Sequence, residues 1–462
     1  MEKARLTKSE VMSYALYSFF SGLAVMVPMT YCTTFMTENL LMSAALMGTV
    51  ILSARIIDFV ISLLAGGIVE KSKMKWGKNS SWMIVLRWVV IIGIMLEFFD
   101  TTALPMIARA VIAVLAYVMI NGCMNFVATA QYGILAVMAG PSMEDRNILS
   151  FRGMQFMAAA TIITSIGAVP VITWLTPMIG QSMGYFIVAT VFAIPFIYGV
   201  HRLTKSAKPY DPVQTKESAA CLPTVTVGDM VKSVVTNGQL LVVILSYTMF
   251  YSGMFAFNTV MAYYFIYVLG NFLLMSVALT AVTVFALFAS IIGPKIGVRI
   301  GKKRAMVFGQ LIYAIGALCI ALFGQISLVL YIAINCVMSV GMYMFSSFSV
   351  IYMLDAGEYG FYKTGKDNRT VGMSMMNIPM KIGMAVGGAV GGFGLASIGF
   401  STGMTVTASF ISNFMWLLGG IPAAFYLLGS IVMAIGYRIT DADAALYAKE
   451  NAERVAKLME NC

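Results

Sequence analysis

The residues of this chain that could do chemistry are a few charged side chains inside long apolar runs. Arg55 and Asp58 stand three residues apart in one run, and Lys381 stands in another run that holds no acid. Residues three apart share a helix face, so Arg55 and Asp58 are either a structural ion pair or a functional pair. Function is the favoured interpretation, because leucines could replace a buried pair that has no role. Lys381 must contact a carboxylate elsewhere, face a water-filled cavity or lose its proton.

Other charges lie nearer the ends of the apolar runs. Arg87 and Arg109 can extend their head groups to the membrane surface, which is the simpler interpretation for both. Glu97 stands at the end of its run, and no role is predicted for it. An inner network of loop charges is predicted near the fifth run, with Arg152 beside it; its members are Glu144, Asp145 and Arg146.

The segments that must position these residues are defined by composition. The chain has 462 residues, of which 60% are hydrophobic and 11% are charged, whereas a soluble domain carries about 25% charged residues. A membrane helix needs roughly 20 apolar residues, and twelve such runs follow one another between residues 11 and 438. These numbers exclude a soluble enzyme and predict an all-α integral membrane protein.

The basic residues alternate from one connection to the next. They occur at the N-terminus and after the second, eighth and tenth runs, whereas the connections on the opposite side of the membrane have none. The basic residues of these four segments are Lys3, Arg5, Lys8, Lys71, Lys73, Lys75, Lys78, Arg299, Lys302, Lys303, Arg304, Lys363, Lys366 and Arg369. Positive residues stay on the cytoplasmic side, so both termini are predicted to be cytoplasmic, in the cell (plasma) membrane. The basic residues behind the net charge of +10 therefore indicate the orientation of the chain in the membrane, and no nucleic-acid partner is expected.

A single long polar segment divides the chain into equal halves. The predicted domains are a six-helix bundle over 1–202, a cytoplasmic middle loop over 203–237, a second six-helix bundle over 238–438 and a cytoplasmic tail over 439–462. Two six-helix bundles joined in this way are the plan of the major facilitator fold, in which the halves rock around a site near the bilayer midplane.

Several short motifs resemble a known family. The segment 354–360 reads Leu-Asp-Ala-Gly-Glu-Tyr-Gly, and 363–369 and 381–383 follow it, while Ala54-Arg-Ile-Ile-Asp58 and Glu144-Asp-Arg146 precede it. Together and in this order they resemble the signature of the glycoside–pentoside–hexuronide:cation symporters, the melibiose permease family. The resemblance spans nearly the whole chain.

The resemblance implies roles for individual residues. It places Asp58 in the cation site with Lys381 close to it, and Arg152 against the sugar. We therefore predict three groups of site residues: for cation or proton coupling Asp58, Arg55, Lys381, Ser62 and Thr129; for substrate binding Arg152, Asn125, Gln131, Asn377 and Lys381; for the cytoplasmic charge network Glu144, Asp145, Arg146, Asp355, Glu358 and Arg369.

The chain also departs from that family pattern. Ser62 stands where a second acid is expected, the segment Ser18–Gly22 has no acid, and the fourth run offers only neutral polar side chains, namely Asn121, Asn125, Thr129 and Gln131. Sodium prefers several oxygen ligands with compensating charge, whereas a proton needs one titratable group. Proton coupling, or uncoupled transport, is therefore favoured over sodium. The retained arginines favour an acidic glycoside such as a hexuronide.

Other functions remain as alternatives. The same fold could move a lysolipid or another amphiphile, or act as a cation-independent facilitator. An intramembrane enzyme has little support, because the one histidine, His201, stands at a helix end and no metalloprotease motif occurs. We expect a monomer in the lipid bilayer that binds a small solute, with no bound metal and no cofactor besides H⁺ or Na⁺ as coupling ion.

Overall fold

The computed structural model describes residues 6–72, 74–140, 142–211, 236–365 and 375–460. Within these ranges every regular element is helical. The first half contains α1 (Lys8–Thr34), α2 (Ala44–Lys71), α3 (Ser80–Glu97), α4 (Met106–Ala139), α5 (Met143–Ile179), α6 (Gln181–Ala193) and α7 (Pro195–Ala207). A π-helical turn, Phe35–Asn39, extends α1.

The second half continues the same pattern. It contains α8 (Gly238–Tyr263), α9 (Leu273–Ile300), α10 (Lys302–Phe323), α11 (Leu328–Ser346), α12 (Ser349–Thr364), α13 (Ile378–Ser397), α14 (Ala408–Met415), α15 (Ile421–Gly436) and α16 (Asp441–Glu460). Two further π-helical turns, Tyr264–Val268 and Trp416–Gly420, follow α8 and α14.

Twelve segments of the described chain are long and apolar enough to cross a membrane. Five of them combine neighbouring elements. Two of these join α6 to α7 and α11 to α12, and the other three include a π-helical turn, after α1, after α8 and between α14 and α15. The prediction of an all-α membrane protein with twelve transmembrane helices is confirmed.

The described chain divides into two compact units. The first unit comprises Met1–Pro223, Ala262–Thr283 and Leu395–Thr405, and the second comprises Thr224–Met261, Val284–Gly394 and Val406–Cys462. Parts of α8, α9 and α13 thus belong to the first unit. The division into sequential bundles over 1–202 and 238–438 stays a prediction.

Small residues set the helix spacing in the first unit. A methyl group at Gly22 of α1 would lie 2.9 Å from the Cβ of Ala160 on α5, and one at Gly153 of α5 would lie 2.9 Å from the Tyr14 ring on α1. Such contacts leave no room for a larger residue, so these glycines let side chains of the partner helix pack directly on the backbone of α1 and of α5.

Glycines also set the spacing between α13 and α8 in the second unit. A methyl group at Gly387 would lie 2.5 Å from the carbonyl oxygen of Ser252 on α8, and one at Gly391 would lie 2.7 Å from the Cβ of Thr259. Both distances are shorter than van der Waals contact. Close packing of α13 against α8 therefore explains these two positions of its glycine-rich sequence.

Candidate functional site

Asp58 lies on α2 with none of its surface exposed. Its Oδ1 accepts a hydrogen bond of 2.7 Å from Nδ2 of Asn125 on α4. The two helices are close here, since a methyl group at Gly122 would lie 3.1 Å from the Ile61 side chain. Asp58, predicted for coupling, and Asn125, predicted for substrate binding, therefore form one site.

Arg55 lies almost one turn before Asp58 on the same helix. The carbon at the centre of its guanidinium lies 4.7 Å from the centroid of the Tyr117 ring on α4, which is a cation–π contact. Its charge interacts with Asp58, Cys32 and Glu97. Arg55 therefore connects the predicted coupling carboxylate with a second acid from another helix.

That second acid, Glu97, ends α3 and is 4% exposed. Its Oε2 is buried and has no hydrogen-bond partner among the described residues. The thiol of Cys32 on α1, itself 5% exposed, interacts with the Glu97 carboxyl. Four helices, α1 to α4, thus contribute to one buried polar cluster, which we call the Arg55 cluster: Cys32, Arg55, Asp58, Glu97, Tyr117 and Asn125.

The two predicted hydroxyl groups bond within their own helices. The Ser62 hydroxyl donates to the Phe59 carbonyl at 2.7 Å, and the Thr129 hydroxyl donates to the Asn125 carbonyl at 2.9 Å. Both follow the ordinary pattern of hydroxyls bonding to a preceding carbonyl. Each keeps acceptor capacity, but neither adds negative charge beside Asp58.

Two predicted substrate residues of the first unit have neutral partners. Nε2 of Gln131 lies 3.1 Å from the Tyr14 hydroxyl oxygen, and Nη1 of Arg152 donates to Oε1 of Gln155 at 3.1 Å. Arg152 is exposed, as is the ring of Tyr132, next to Gln131. The guanidinium of Arg152 has no salt bridge to a described carboxylate.

The remaining substrate residues belong to the second unit. Asn377 is exposed just before α13, and Lys381 is half-buried in its first turn, with its N–H bonded to the Asn377 carbonyl at 3.1 Å. The approach of Lys381 to Asp58 stays a prediction. Arg369, predicted for the charge network, lies outside the described residues.

The first-unit part of the predicted charge network separates into buried and exposed groups. Asp145 is fully buried, and its Oδ1 accepts the Leu6 N–H at 3.4 Å. Glu144 and Arg146 are exposed, and Nη2 of Arg146 donates to the Gly140 carbonyl at 3.3 Å. Asp145 therefore ties the start of the chain to the α4–α5 connection.

The second-unit part forms specific pairs. Asp355 on α12 forms a salt bridge with Nζ of Lys302, which starts α10, and accepts a longer bond of 3.4 Å from the Tyr437 hydroxyl. Glu358 accepts a hydrogen bond of 2.6 Å from Asn451 on α16. The tail helix therefore packs against the end of α12.

A second polar cluster lies at the end of α1, within the first unit. The hydroxyl groups of Thr37 and Tyr263 are 2.7 Å apart. Tyr267 donates to the Glu38 carboxylate, with both oxygens at 3.0 Å, and accepts the Gly403 N–H at 3.3 Å. These bonds join α1 to the ends of α8 and α13, which explains why those ends belong to the first unit.

The sequence alone predicted no role for Glu97. The available signal was that Glu97 ends an apolar run, where a carboxylate needs a partner or water. Arg109 was predicted to reach the membrane surface; its guanidinium instead donates to backbone carbonyls, including that of Leu40 at 2.8 Å. It thereby fastens the α1–α2 connection to the start of α4.

Across the described ranges, no group of three or more histidine, cysteine, aspartate or glutamate side chains is arranged to hold a metal ion.

Comparison with known proteins identifies the class. The chain matches the family described as MFS/sugar transport protein over residues 13–441, and it belongs to that family. Its fold is that of the nucleoside transporter NupG, with a TM-score of 0.65 at 15% identity over 93% of this chain and all of the other. The protein is a membrane transporter and not an enzyme.

Named relatives narrow the class to sugar and glycoside symporters. The isoprimeverose transporter of Lactiplantibacillus pentosus is 26% identical over 92% of this chain and 89% of its own length. The lactose permease of Leuconostoc lactis is 24% identical over 97% of this chain and 71% of its own. The glucuronide carrier protein homolog of Escherichia coli (strain K12) is 22% identical over 95% and 94%. The predicted likeness to the glycoside–pentoside–hexuronide:cation symporters is confirmed, and the protein is a secondary transporter of sugars or glycosides.

Proposed function

We propose that this protein is a proton-coupled symporter for an acidic glycoside in the plasma membrane. It acts as a monomer with both termini in the cytoplasm, and its two six-helix bundles, over 1–202 and 238–438, alternate access to a central site. The observation that carries the proposal is the pairing of the buried Asp58 carboxyl with the Asn125 amide at 2.7 Å.

An amide partner suits a carboxyl that gains and loses a proton. Asn125 donates from Nδ2 to an ionised Asp58, and after a half-turn of the amide its oxygen can accept from a protonated Asp58. Both protonation states of Asp58 thus have a hydrogen-bond partner, which keeps the cost of the change low in a buried site.

The same partner disfavours sodium. The Nδ2 group directs a positive N–H at an oxygen that a sodium ion would need as a ligand. Ser62 and Thr129 direct their hydroxyl protons at backbone carbonyls. Asp58 beside Arg55 then offers one carboxylate next to a fixed positive charge, which is a weak site for a metal cation.

Arg152 supports an acidic solute. It is exposed and its described hydrogen bond goes to the neutral Gln155 side chain, so its charge is available to a ligand carboxylate. Arginine binds a carboxylate through two parallel hydrogen bonds, which a neutral sugar cannot match. The relatives include a glucuronide carrier homolog and a putative sulfoquinovose importer of Salmonella typhimurium as well as carriers named for neutral sugars.

The coupling ion is tested with purified protein in sealed vesicles. We expect uptake of a radiolabelled glucuronide to follow an imposed pH gradient at constant sodium and to be unaffected by a sodium gradient at constant pH. Asp58→Asn should abolish gradient-driven accumulation. Accumulation driven by sodium at fixed pH would contradict proton coupling.

The solute class is tested by ligand-induced thermal stabilisation of the purified protein. Matched pairs of a glucoside and its glucuronide, measured across pH, give the comparison, because a ligand that binds the native state raises the unfolding temperature. Stronger stabilisation by the neutral member of each pair would contradict the acidic assignment.

A further inference from the structure

We propose that Glu97 is a second proton-binding carboxyl of this transporter, coupled to Asp58 through the guanidinium of Arg55. The inference rests on the proposed proton coupling and adds a residue from α3 to it. The guanidinium of Arg55 interacts electrostatically with the carboxyls of both Asp58 and Glu97.

The position of Glu97 is unusual for a carboxyl group. It is 4% exposed, and its Oε2 has no hydrogen-bond partner in the described part of the chain. An ionised carboxylate with an unsatisfied oxygen is costly away from water, whereas a protonated one is not.

The groups around Glu97 couple its charge electrostatically to that of Asp58. On α2, Arg55 interacts electrostatically with both carboxyls, and on α1 the Cys32 thiol contacts Glu97. On α4, the Tyr117 ring packs on Arg55. The two carboxyls therefore compete for one guanidinium, and a proton on either one strengthens the hold of Arg55 on the other.

Other titratable groups on the helices packed against α3 lie elsewhere. Tyr185 on α6 stacks on Phe98, the residue after Glu97, with the rings 6.1 Å apart. His201 and Arg202 stand in the second half of α7, the end that leads to Asp211, whose carboxylate bonds to the start of α3. Asp100 follows in the connection to α4, where the hydroxyl and the backbone N–H of Thr102 hold its pKa below the usual value.

The positions of these residues along their helices also indicate the side from which a proton reaches Glu97. Asp58 lies 14 residues into α2, while Arg55 is about 4.5 Å nearer its start. Glu97 ends α3, and Cys32 is close to the end of α1. From Asp58 to Glu97, the Arg55 cluster therefore extends from the middle of α2 toward the end where α1 connects to α2. A proton taken from water at that end by the Glu97 carboxylate changes the charge that Arg55 presents to Asp58.

The test uses Glu97→Gln, which keeps the shape and removes the proton site. The matched control is Asp100→Asn, which removes an exposed carboxyl three residues away. Infrared difference spectra of the full-length protein between acid and alkaline pH should lose a carboxyl band in Glu97→Gln and keep it in Asp100→Asn and Asp58→Asn. An unchanged spectrum in Glu97→Gln would overturn the inference.

Transport gives the second readout. Without the negative charge of Glu97, Arg55 acts on Asp58 alone, so proton-driven uptake should need more acid, with its pH midpoint lower by about 0.5–1 unit. Solute exchange at equal pH on both sides should persist and shows that the variant is folded. If exchange is lost, the infrared carboxyl band of the purified variant decides whether Glu97 binds a proton.

The inference and the proposed function can fail separately. If wild-type uptake ignores a pH gradient, proton coupling is wrong. If wild-type uptake follows the gradient but Glu97→Gln has the wild-type pH profile and carboxyl band, only the role of Glu97 is wrong.

Discussion

Nδ2 of Asn125 donates a 2.7 Å hydrogen bond to Oδ1 of the fully buried Asp58. This contact places an amide of α4 against the carboxyl of α2 that the sequence motif predicts to be the coupling group. An amide accepts either protonation state of its partner, while a second carboxylate in its place would add charge and an oxygen ligand. The identity of residue 125 should therefore control the coupling behaviour.

Asn125→Asp tests this control directly. Two carboxyls at hydrogen-bond distance cannot both ionise easily, so we expect the pH midpoint of uptake to rise by about 1–3 units. Asn121→Asp, one turn away on the same helix, is the control, because the Asn121 amide bonds to the Tyr117 carbonyl. The pH profile of uptake in vesicles is the measurement. Equal shifts in the two variants would argue against a specific pair.

Arg152→Gln tests the selectivity for charge. Loss of a charge-assisted hydrogen bond costs about 1.5–3 kcal/mol, so the affinity for a glucuronide should fall by about tenfold or more. The affinity for the matching neutral glucoside should change much less. Arg152→Lys, which keeps the charge but loses the planar fork, should be intermediate. Binding measured by thermal shift or calorimetry decides, and an equal loss for both ligands would contradict the assignment.

Gly387→Ala tests the close approach of α13 and α8. The added methyl would lie 2.5 Å from the Ser252 carbonyl oxygen, so overpacking should lower the stability by about 1–3 kcal/mol. Gly66→Ala is a suitable control, since a methyl there has no neighbour within 4 Å and alanine is the better helix former. The unfolding temperature in detergent is the measurement, and we expect it to fall in the first variant only.

Tyr267→Phe tests the cluster at the end of α1. The variant removes the hydroxyl that donates to Glu38 and accepts from Gly403, at a cost of about 1 kcal/mol. Local opening should become about fivefold more frequent. The buried Cys32 thiol, 5% exposed, should then react faster with a water-soluble maleimide, as read by peptide mass spectrometry. Tyr447→Phe on the tail helix serves as control, and equal labelling rates in the two variants would refute the prediction.

Asp211→Asn tests the attachment of the chain after α7. The Asp211 carboxylate accepts the backbone N–H groups of Asn79 and Ser80, at 3.1 and 2.7 Å for Oδ2. It thereby caps the start of α3, where a negative charge is favourable. We expect a loss of about 1–2 kcal/mol and a lower unfolding temperature. Asp443→Asn, which removes a carboxylate at the start of α16, should leave the transmembrane part unchanged. An unaltered unfolding temperature in Asp211→Asn would contradict the cap.

The transmembrane helices and the embedded carboxyl of this protein could be predicted from its sequence, because the interactions that define them are local. Lipid admits only segments whose backbone groups are satisfied internally, so runs of apolar residues define twelve helices without knowledge of their neighbours. The motif around Arg55 and Asp58 likewise fixes which carboxyl is embedded, since both residues are on one helix. The prediction that the fourth span offers neutral polar groups in place of an acid also needed only the sequence.

Only the tertiary structure decided which of those groups meet. The transmembrane helices are apolar on nearly all sides, so no stripe in the sequence marks the face that α4 turns to α2. Nothing in the sequence showed that Asn125, rather than Asn121 or Thr129, would bond to Asp58. The depth and rotation of α3 bring Glu97 within the electrostatic influence of Arg55, which stands 42 positions earlier in the chain. Such contacts depend on how helices pack against one another, through small residues such as Gly122, and that packing is a property of the whole bundle rather than of any one segment.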